Sequence, residues 1–460
     1  MAGIGFALQA LSKKGTLSGG FAAFAISAII AVGPWLFTVL SVAGINMATV
    51  SNTGLHALAE MRIVLIYNFS ISLVMSGPIA LVTTRFLADG LYARNMSRAP
   101  GALFAAMAIT LATQAPIAFW LYLYEANLSP QMRLISIVSY LIVACLWVVA
   151  VFLSALKDYM TVTIAFAAGL LAAFGLSLAL SGYGAEGLLG GFSAGLALTL
   201  FTLLARIFAE YPTRMTAPWD LLSYFRKYPE LALSGLVYNA GIWVDKWIMW
   251  ASPHAIVPES NLASFPAYDG AMFAAQLTMV PAIALFVYTV ETKFFVAYRT
   301  FYRTIERHGT LARIEAAHGD IMRTLTSSAK ALGGLQLTLA LCVIALSPAM
   351  LAMLDLHASQ LGMFRLGVIG AAFHAIFLFL TIVLAYFDLR RQVLLVHSLF
   401  FALNAAGTLL ALSLGEAWYG YGYVLASVVT AAAAAVSALS AVSQLPYLTF
   451  VANNPALKPM

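Results

Sequence analysis

The sequence predicts an all-α polytopic membrane protein, with twelve transmembrane helices in two six-helix halves. Three observations predict it. Hydrophobic residues make up 62% of the chain and charged residues only 9%, where a soluble protein carries about 25% charged. Polar groups at that density cannot cover a globular surface, so the solvent is lipid. Twelve apolar runs reach the roughly 20 residues that a helix needs to cross a bilayer. The basic residues also segregate by side.

The runs cover 21–45, 63–85, 102–124, 134–156, 160–181, 186–208, 231–252, 271–291, 331–353, 366–387, 392–413 and 419–443. Their unbroken length excludes barrel strands, which alternate over about 10 residues. A helix satisfies its own backbone inside lipid. With the N-terminus in the cytoplasm, only Arg62, Arg133 and Arg365 fall outside, and Lys246 falls within a run. The other twenty of the 24 Lys and Arg residues fall inside, as the positive-inside rule requires. Both termini are then cytoplasmic. A missed or invented span would scramble this asymmetry.

The net charge of +6 forms no dense patch, so no nucleic-acid partner is expected. Cys145 and Cys342 lie singly in apolar runs and read as small buried hydrophobes. Met1–Gly20 lacks the pattern of a cleaved signal peptide, so the first span is expected to act as an uncleaved insertion signal. HExxH, Walker A and GxSxG patterns are absent. His374 and His397 have no acidic partner by spacing and read as buried histidines. No catalytic residue, metal site or cofactor is expected, and the chain does not read as an enzyme.

A proline-rich segment from Ala209 to Pro229 separates six spans from six. The expected halves are 1–229 and 230–460, the second including a cytoplasmic segment at 291–330. A shift of 208 positions aligns Gly33-Pro34-Trp35 with Gly241-Ile242-Trp243, and Thr84-Arg85-Phe86 with Thr292-Lys293-Phe294. Two matches at one shift suggest a duplication that preserves orientation. Pro34, Pro78, Pro116, Pro281 and Pro348 fall inside spans, where each removes a backbone hydrogen bond and favours a kink.

The seventh run holds the main candidate site. Asp245 and Lys246 lie at membrane depth, where a charge costs about 2.5–3.5 kcal/mol on insertion scales. Trp243, Lys246, Trp247 and Trp250 recur at helical spacing, which places Lys246 among indoles. Adjacent residues diverge around a helix. Asp245 is therefore expected on another face with Tyr238, against a neighbouring helix or a wet cavity. A structural pair that locks the helix into its bundle is the alternative. Trp250 reads as an interfacial anchor. Broad indole faces suit sugar rings, and an acid suits hydroxyls or amines. Trp35, Asn68, Asn239, Gln276 and Glu291 are further candidates for lining a path, with Tyr268 and Asp269 at the outer mouth of the eighth run. His374 and Asn404 are polar at similar depth, and hydrogen bonding between helices is the simpler role for such residues. The outside segments hold seven acids, Glu60, Glu125, Glu186, Glu259, Asp269, Asp355 and Glu416, against three bases. That sign favours the exit of a cation.

Between the eighth and ninth runs, Phe294, Phe295, Tyr298, Phe301, Tyr302 and Ile305 recur at helical spacing. Arg299, Arg303 and Arg307 make a basic stripe between them, Gly309 breaks the helix, and Thr310 starts the next. Such a helix lies on an anionic leaflet or receives a cytoplasmic partner, with Arg313 adding to the basic face.

Several stretches resemble the PelG family of exopolysaccharide transporters, within the multidrug/oligosaccharidyl-lipid/polysaccharide exporter superfamily. They are MAGIGF at the start, GPW in the first run, YNAGIWVDKWIMWASP, PAYDGAMFAAQLTMVPA, and VETKFF followed by YRTFYRTIERHGTL. The resemblance spans essentially the whole chain. It departs at ALQALSKKGTLSGG and at AIIAVGPW, near the N-terminus. It implies a MOP/MATE-like fold in a bacterial inner membrane. It also implies passage of a nascent, partly deacetylated and cationic amino-sugar polymer, Pel, coupled to its synthesis. The implied partners are a cytoplasmic glycosyltransferase, a cyclic-di-GMP receptor and a small membrane subunit, with the polysaccharide and the lipid bilayer. Two other readings stay open: an ion-coupled flippase for lipid-linked oligosaccharide, and a scaffold that recruits the synthase without transporting.

Overall fold

The computed structural model describes residues 17–156, 159–212, 214–353 and 360–452. The MAGIGF stretch, Asp355 and the inside bases Lys13, Lys14, Lys157 and Lys458 lie outside the described residues. The chain forms two compact units, Val32–Phe265 and Met1–Ala31 with Pro266–Met460. Among the described residues the structure is helical, apart from a single bridge between Ile256 and Ser264.

Helix α1 runs from Leu17 to Tyr92 and contains the first two predicted spans. Its 76 residues are interrupted at Gly54 (φ 78°, ψ 163°), where two helices meet. That conformation is essentially restricted to glycine. A loop was expected across 46–62; the helix-favouring segment HALAEM carries the second helix almost back to the glycine instead. Helices α2 (Ala99–Trp120), α3 (Pro130–Leu156), α4 (Tyr159–Ala179) and α5 (Gly184–Glu210) follow. A short α6 (Asp220–Lys227) leads into α7 (Pro229–Trp250). Within Val32–Phe265 the apolar core is continuous and includes Tyr122, Tyr140, Phe152 and Phe192.

In the other unit the eighth span is broken. Helix α8 (Pro266–Leu277) stops, and α9 (Val280–Thr289) restarts with Pro281 in its first turn. Proline fits there because it has no N–H to lose. The exposed backbone is held, since Gln336 Nε2 donates to the Thr278 carbonyl at 3.2 Å. A π-turn, Val290–Phe294, joins α9 to α10 (Phe295–Glu306). Helix α11 then runs unbroken from Leu311 to Met353, through the cytoplasmic segment and the ninth span. Helices α12 (Gln360–Tyr386), α13 (Arg390–Leu414) and α14 (Tyr421–Ser443) complete this unit. Cys145 is buried as expected, but Cys342 is exposed; in lipid that outer face is apolar too.

Among the described residues, ten helical stretches are long and apolar enough to cross a membrane. One of them, Trp35–Tyr92, holds parts of two predicted spans. Helix α7 is not among the ten, because its polar residues lower its hydropathy, yet its 22 residues are long enough to cross. Counting α1 twice and adding α7 recovers the twelve predicted spans.

Candidate functional site

Helix α7 starts at Pro229, with Glu230 in its first turn, where an acid suits the positive end of the helix. It packs on α1 at an unusually close crossing. A methyl group built on Gly77 would lie 2.4 Å from the Gly235 carbonyl oxygen, and one built on Gly235 would lie 2.4 Å from that of Gly77. One turn further on, Asn239 Nδ2 donates to the Leu73 carbonyl at 3.1 Å. The segment after α7 is tied back to the same unit. Tyr67 donates from its hydroxyl to the Ala263 carbonyl at 2.8 Å, and Asn261 Nδ2 donates to the Glu125 carbonyl at 2.8 Å. These bonds fix the height and rotation of α7.

The two charges close on each other. Lys246 Nζ donates to Asp245 Oδ2 at 3.1 Å and Oδ1 at 3.2 Å, and to the Ile242 carbonyl at 3.2 Å. Asp245 is 0% exposed and Lys246 4%. The expectation of separate faces fails because the four-carbon lysine stem bends around the helix to its neighbour. The expected cation–π contact is present, with Nζ 5.8 Å from the centre of the Trp243 ring. Trp243 meets Trp250 edge to face at 6.3 Å. Trp250 is buried and stacks on Tyr67 at 4.8 Å and 20°, so it packs inside the protein and is not an exposed interfacial anchor. Trp247 and Tyr238 are half-buried. The Trp243 indole N–H is buried without a hydrogen-bond partner.

The other predicted residues fall in several places. Trp35 is exposed. Asn68 is fully buried in a different seam, where Oδ1 accepts from the Tyr122 hydroxyl at 2.6 Å and Nδ2 donates to the Ser136 carbonyl at 3.4 Å. Tyr268 is buried, and Asp269 and Gln276 are half-buried, all on α8 in the other unit. The Glu291 side chain lies outside the described residues. His374 is buried, with Nδ1 2.9 Å from the Tyr423 hydroxyl and its ring stacked on Phe377 at 5.1 Å. His397 and Asn404 are also buried. Among the described residues, no group of three or more His, Cys, Asp or Glu could hold a metal ion.

Sequence reasoning missed the extent of the polar seam around Asn68. There Gln114 Nε2 donates to Ser76 Oγ at 2.9 Å, and Trp147 Nε1 donates to Ser72 Oγ at 3.1 Å. The signal was available: Asn68, Ser72 and Ser76 lie four residues apart, on one helix face. Gln336 was missed as well, a lone amide in an apolar run.

The cytoplasmic helix differs from one expectation. Its aromatic stripe is spent on protein. Phe294 and Phe301 are buried, and Phe294 meets Tyr386 at 5.1 Å and Phe387 at 6.2 Å, at the inner end of α12. Burial and the neighbouring Tyr302 phenol push the Tyr298 phenol above its usual range, so this face stays uncharged. The apolar face is therefore not free to lie in a leaflet. Arg299, Arg303, Arg307 and Arg313 are all exposed. A left-handed His308 (φ 54°) turns the chain, and the Gly309 N–H donates to the Thr304 carbonyl at 2.9 Å. On the next helix, Met322, Arg323, Thr326, Ser327 and Lys330 line an open cleft of about 360 Å³.

The sequence profile of the family described as "PelG: Putative exopolysaccharide Exporter (EPS-E)" matches residues 1–450. The chain belongs to the PelG family. No functionally curated protein matches it. Its fold is that of the MOP superfamily. A Vibrio cholerae MATE transporter aligns with a TM-score of 0.65 at 13% identity, covering 92% of this chain and 98% of its own. A MOP superfamily transporter from Pyrococcus furiosus aligns at 0.64 and 14% identity, covering 91% and 96%. An outward-facing multidrug resistance MATE family transporter aligns at 0.63 and 13% identity, with the same coverage. This PelG-family chain is thus a multi-pass membrane protein with a transporter fold.

Proposed function

We propose that the chain carries a nascent cationic amino-sugar exopolysaccharide across the bacterial inner membrane while it is being made, past the aromatic and charged face of α7. The observation that carries this reading is the buried Asp245–Lys246 pair beside Trp243. An intramembrane ion pair is costly to build and marks a path more often than a scaffold. An indole face beside an acid matches a sugar that bears an amine. The halves 1–229 and 230–460 supply the repeated framework, with both termini cytoplasmic. The exposed Arg299, Arg303, Arg307 and Arg313 receive the cytoplasmic glycosyltransferase, and the cyclic-di-GMP receptor and small membrane subunit complete the assembly.

Asp245→Asn and Trp243→Ala test the path. Each is expected to reduce polymer export by at least about tenfold, the loss of one charge-assisted or stacking contact, with normal insertion and normal partner binding. Export that survives both substitutions rules out α7 as the path. Reversal of Arg299, Arg303 and Arg307 to glutamate is expected to release the cytoplasmic partner in co-purification while membrane insertion is retained. Unchanged co-purification would count against docking there.

A further inference from the structure

Every polar contact of Lys246 lies within its own helix. Its ammonium holds both oxygens of Asp245 and the Ile242 carbonyl, and sits over Trp243. A pair built from neighbouring residues ties no second helix to α7, so by itself it does not lock the bundle. It does fill a carboxylate with an alkylammonium. Beside it the Trp243 indole N–H is buried and finds no acceptor, although buried donors are nearly always paired. The site therefore accepts an ammonium already and offers an unused donor to an oxygen. A sugar with an amine and a neighbouring hydroxyl or ring oxygen presents both groups.

We propose that Lys246 is a resident ammonium that occupies Asp245 until an amino-sugar ammonium of the cargo takes its place. This rests on the reading of α7 as the path. In the exchange Asp245 keeps its charge and changes partner, no proton moves, and Lys246 keeps its bond to Ile242. The returning lysine then displaces the sugar. A bare carboxylate would trap each passing cation, whereas a path needs binding weak enough to leave. Lys246 thus sets both selectivity for ammonium over acetamide and the speed of release.

The test uses the purified full-length chain in lipid nanodiscs. A β-linked glucosamine tetramer and its fully N-acetylated form are the probes, and tryptophan fluorescence reports binding. Lys246→Met is expected to bind the glucosamine tetramer about tenfold tighter than the unaltered chain, since a competing charged bond is gone. The acetylated tetramer should bind equally to both, and Asp245→Asn added to Lys246→Met should abolish the gain. If Lys246→Met binds no tighter while Asp245→Asn still weakens binding, the resident-ammonium proposal is overturned and the path reading stands. If Asp245→Asn leaves both binding and export unchanged, the path reading falls with it. A second measurement needs no variant. Acylation of Lys246 in the unaltered chain, read by mass spectrometry, should rise when the glucosamine tetramer is present and not with the acetylated form. No rise would overturn the proposal.

Discussion

Replacing Asp245 by leucine is expected to destabilise the folded chain by about 3–5 kcal/mol, the usual cost of removing one partner from a buried ion pair. The ammonium of Lys246 loses two short contacts and remains among indoles, in a place water does not reach. Leucine at Asp245 together with methionine at Lys246 should recover most of that loss. A buried pair replaced by apolar residues of similar size is often neutral or stabilising. Thermal unfolding of the purified variants measures both. Equal melting of the single and double variants would mean that the lysine finds other partners and that the pair is not the energetic unit described above. Export should fail in both, which separates stability from function.

Substituting valine for Gly77 or Gly235 should be at least as damaging. Each glycine faces the backbone of the other helix: the nearest atom to an added carbon is a carbonyl oxygen at 2.4 Å in both directions. No flexible side chain can swing away, so the helices must separate, and the Asn239–Leu73 bond is strained with them. Overpacking costs about 1–3 kcal/mol and sometimes more; two opposed backbones place this site at the upper end. Alanine at Gly175 makes a control, since nothing lies within 4 Å of the added carbon. It should leave the melting temperature unchanged or raise it, because alanine is the better helix former. Similar melting temperatures for the Gly77 and Gly175 variants would refute the close crossing.

Much of the architecture was legible in the sequence because lipid imposes coarse rules. Run length and the segregation of arginine and lysine give the number of spans and their direction without knowledge of packing. The elements that escaped are those where a single residue decides. Gly54 turns the expected loop into a bend between helices, and only its backbone angles reveal this. The break in the eighth span needed Thr278 and Gln336 together, residues 58 positions apart. At the site, spacing found Trp243, Asp245 and Lys246 but misjudged their relation. Helical projection treats side chains as short spokes, and a lysine is long enough to defeat it. Projection could not show Trp250 stacked on Tyr67 either, because that contact is tertiary.

Helix α11 carries a mechanical consequence. Its 43 residues form one rod with no joint between the cytoplasmic segment and the ninth span, about 65 Å long at the usual rise per residue. An enzyme gripping the arginine-rich end would hold a lever whose far arm is embedded in the bilayer. Strokes made during chain elongation would then reach the membrane interior as tilt, with no slack to absorb them.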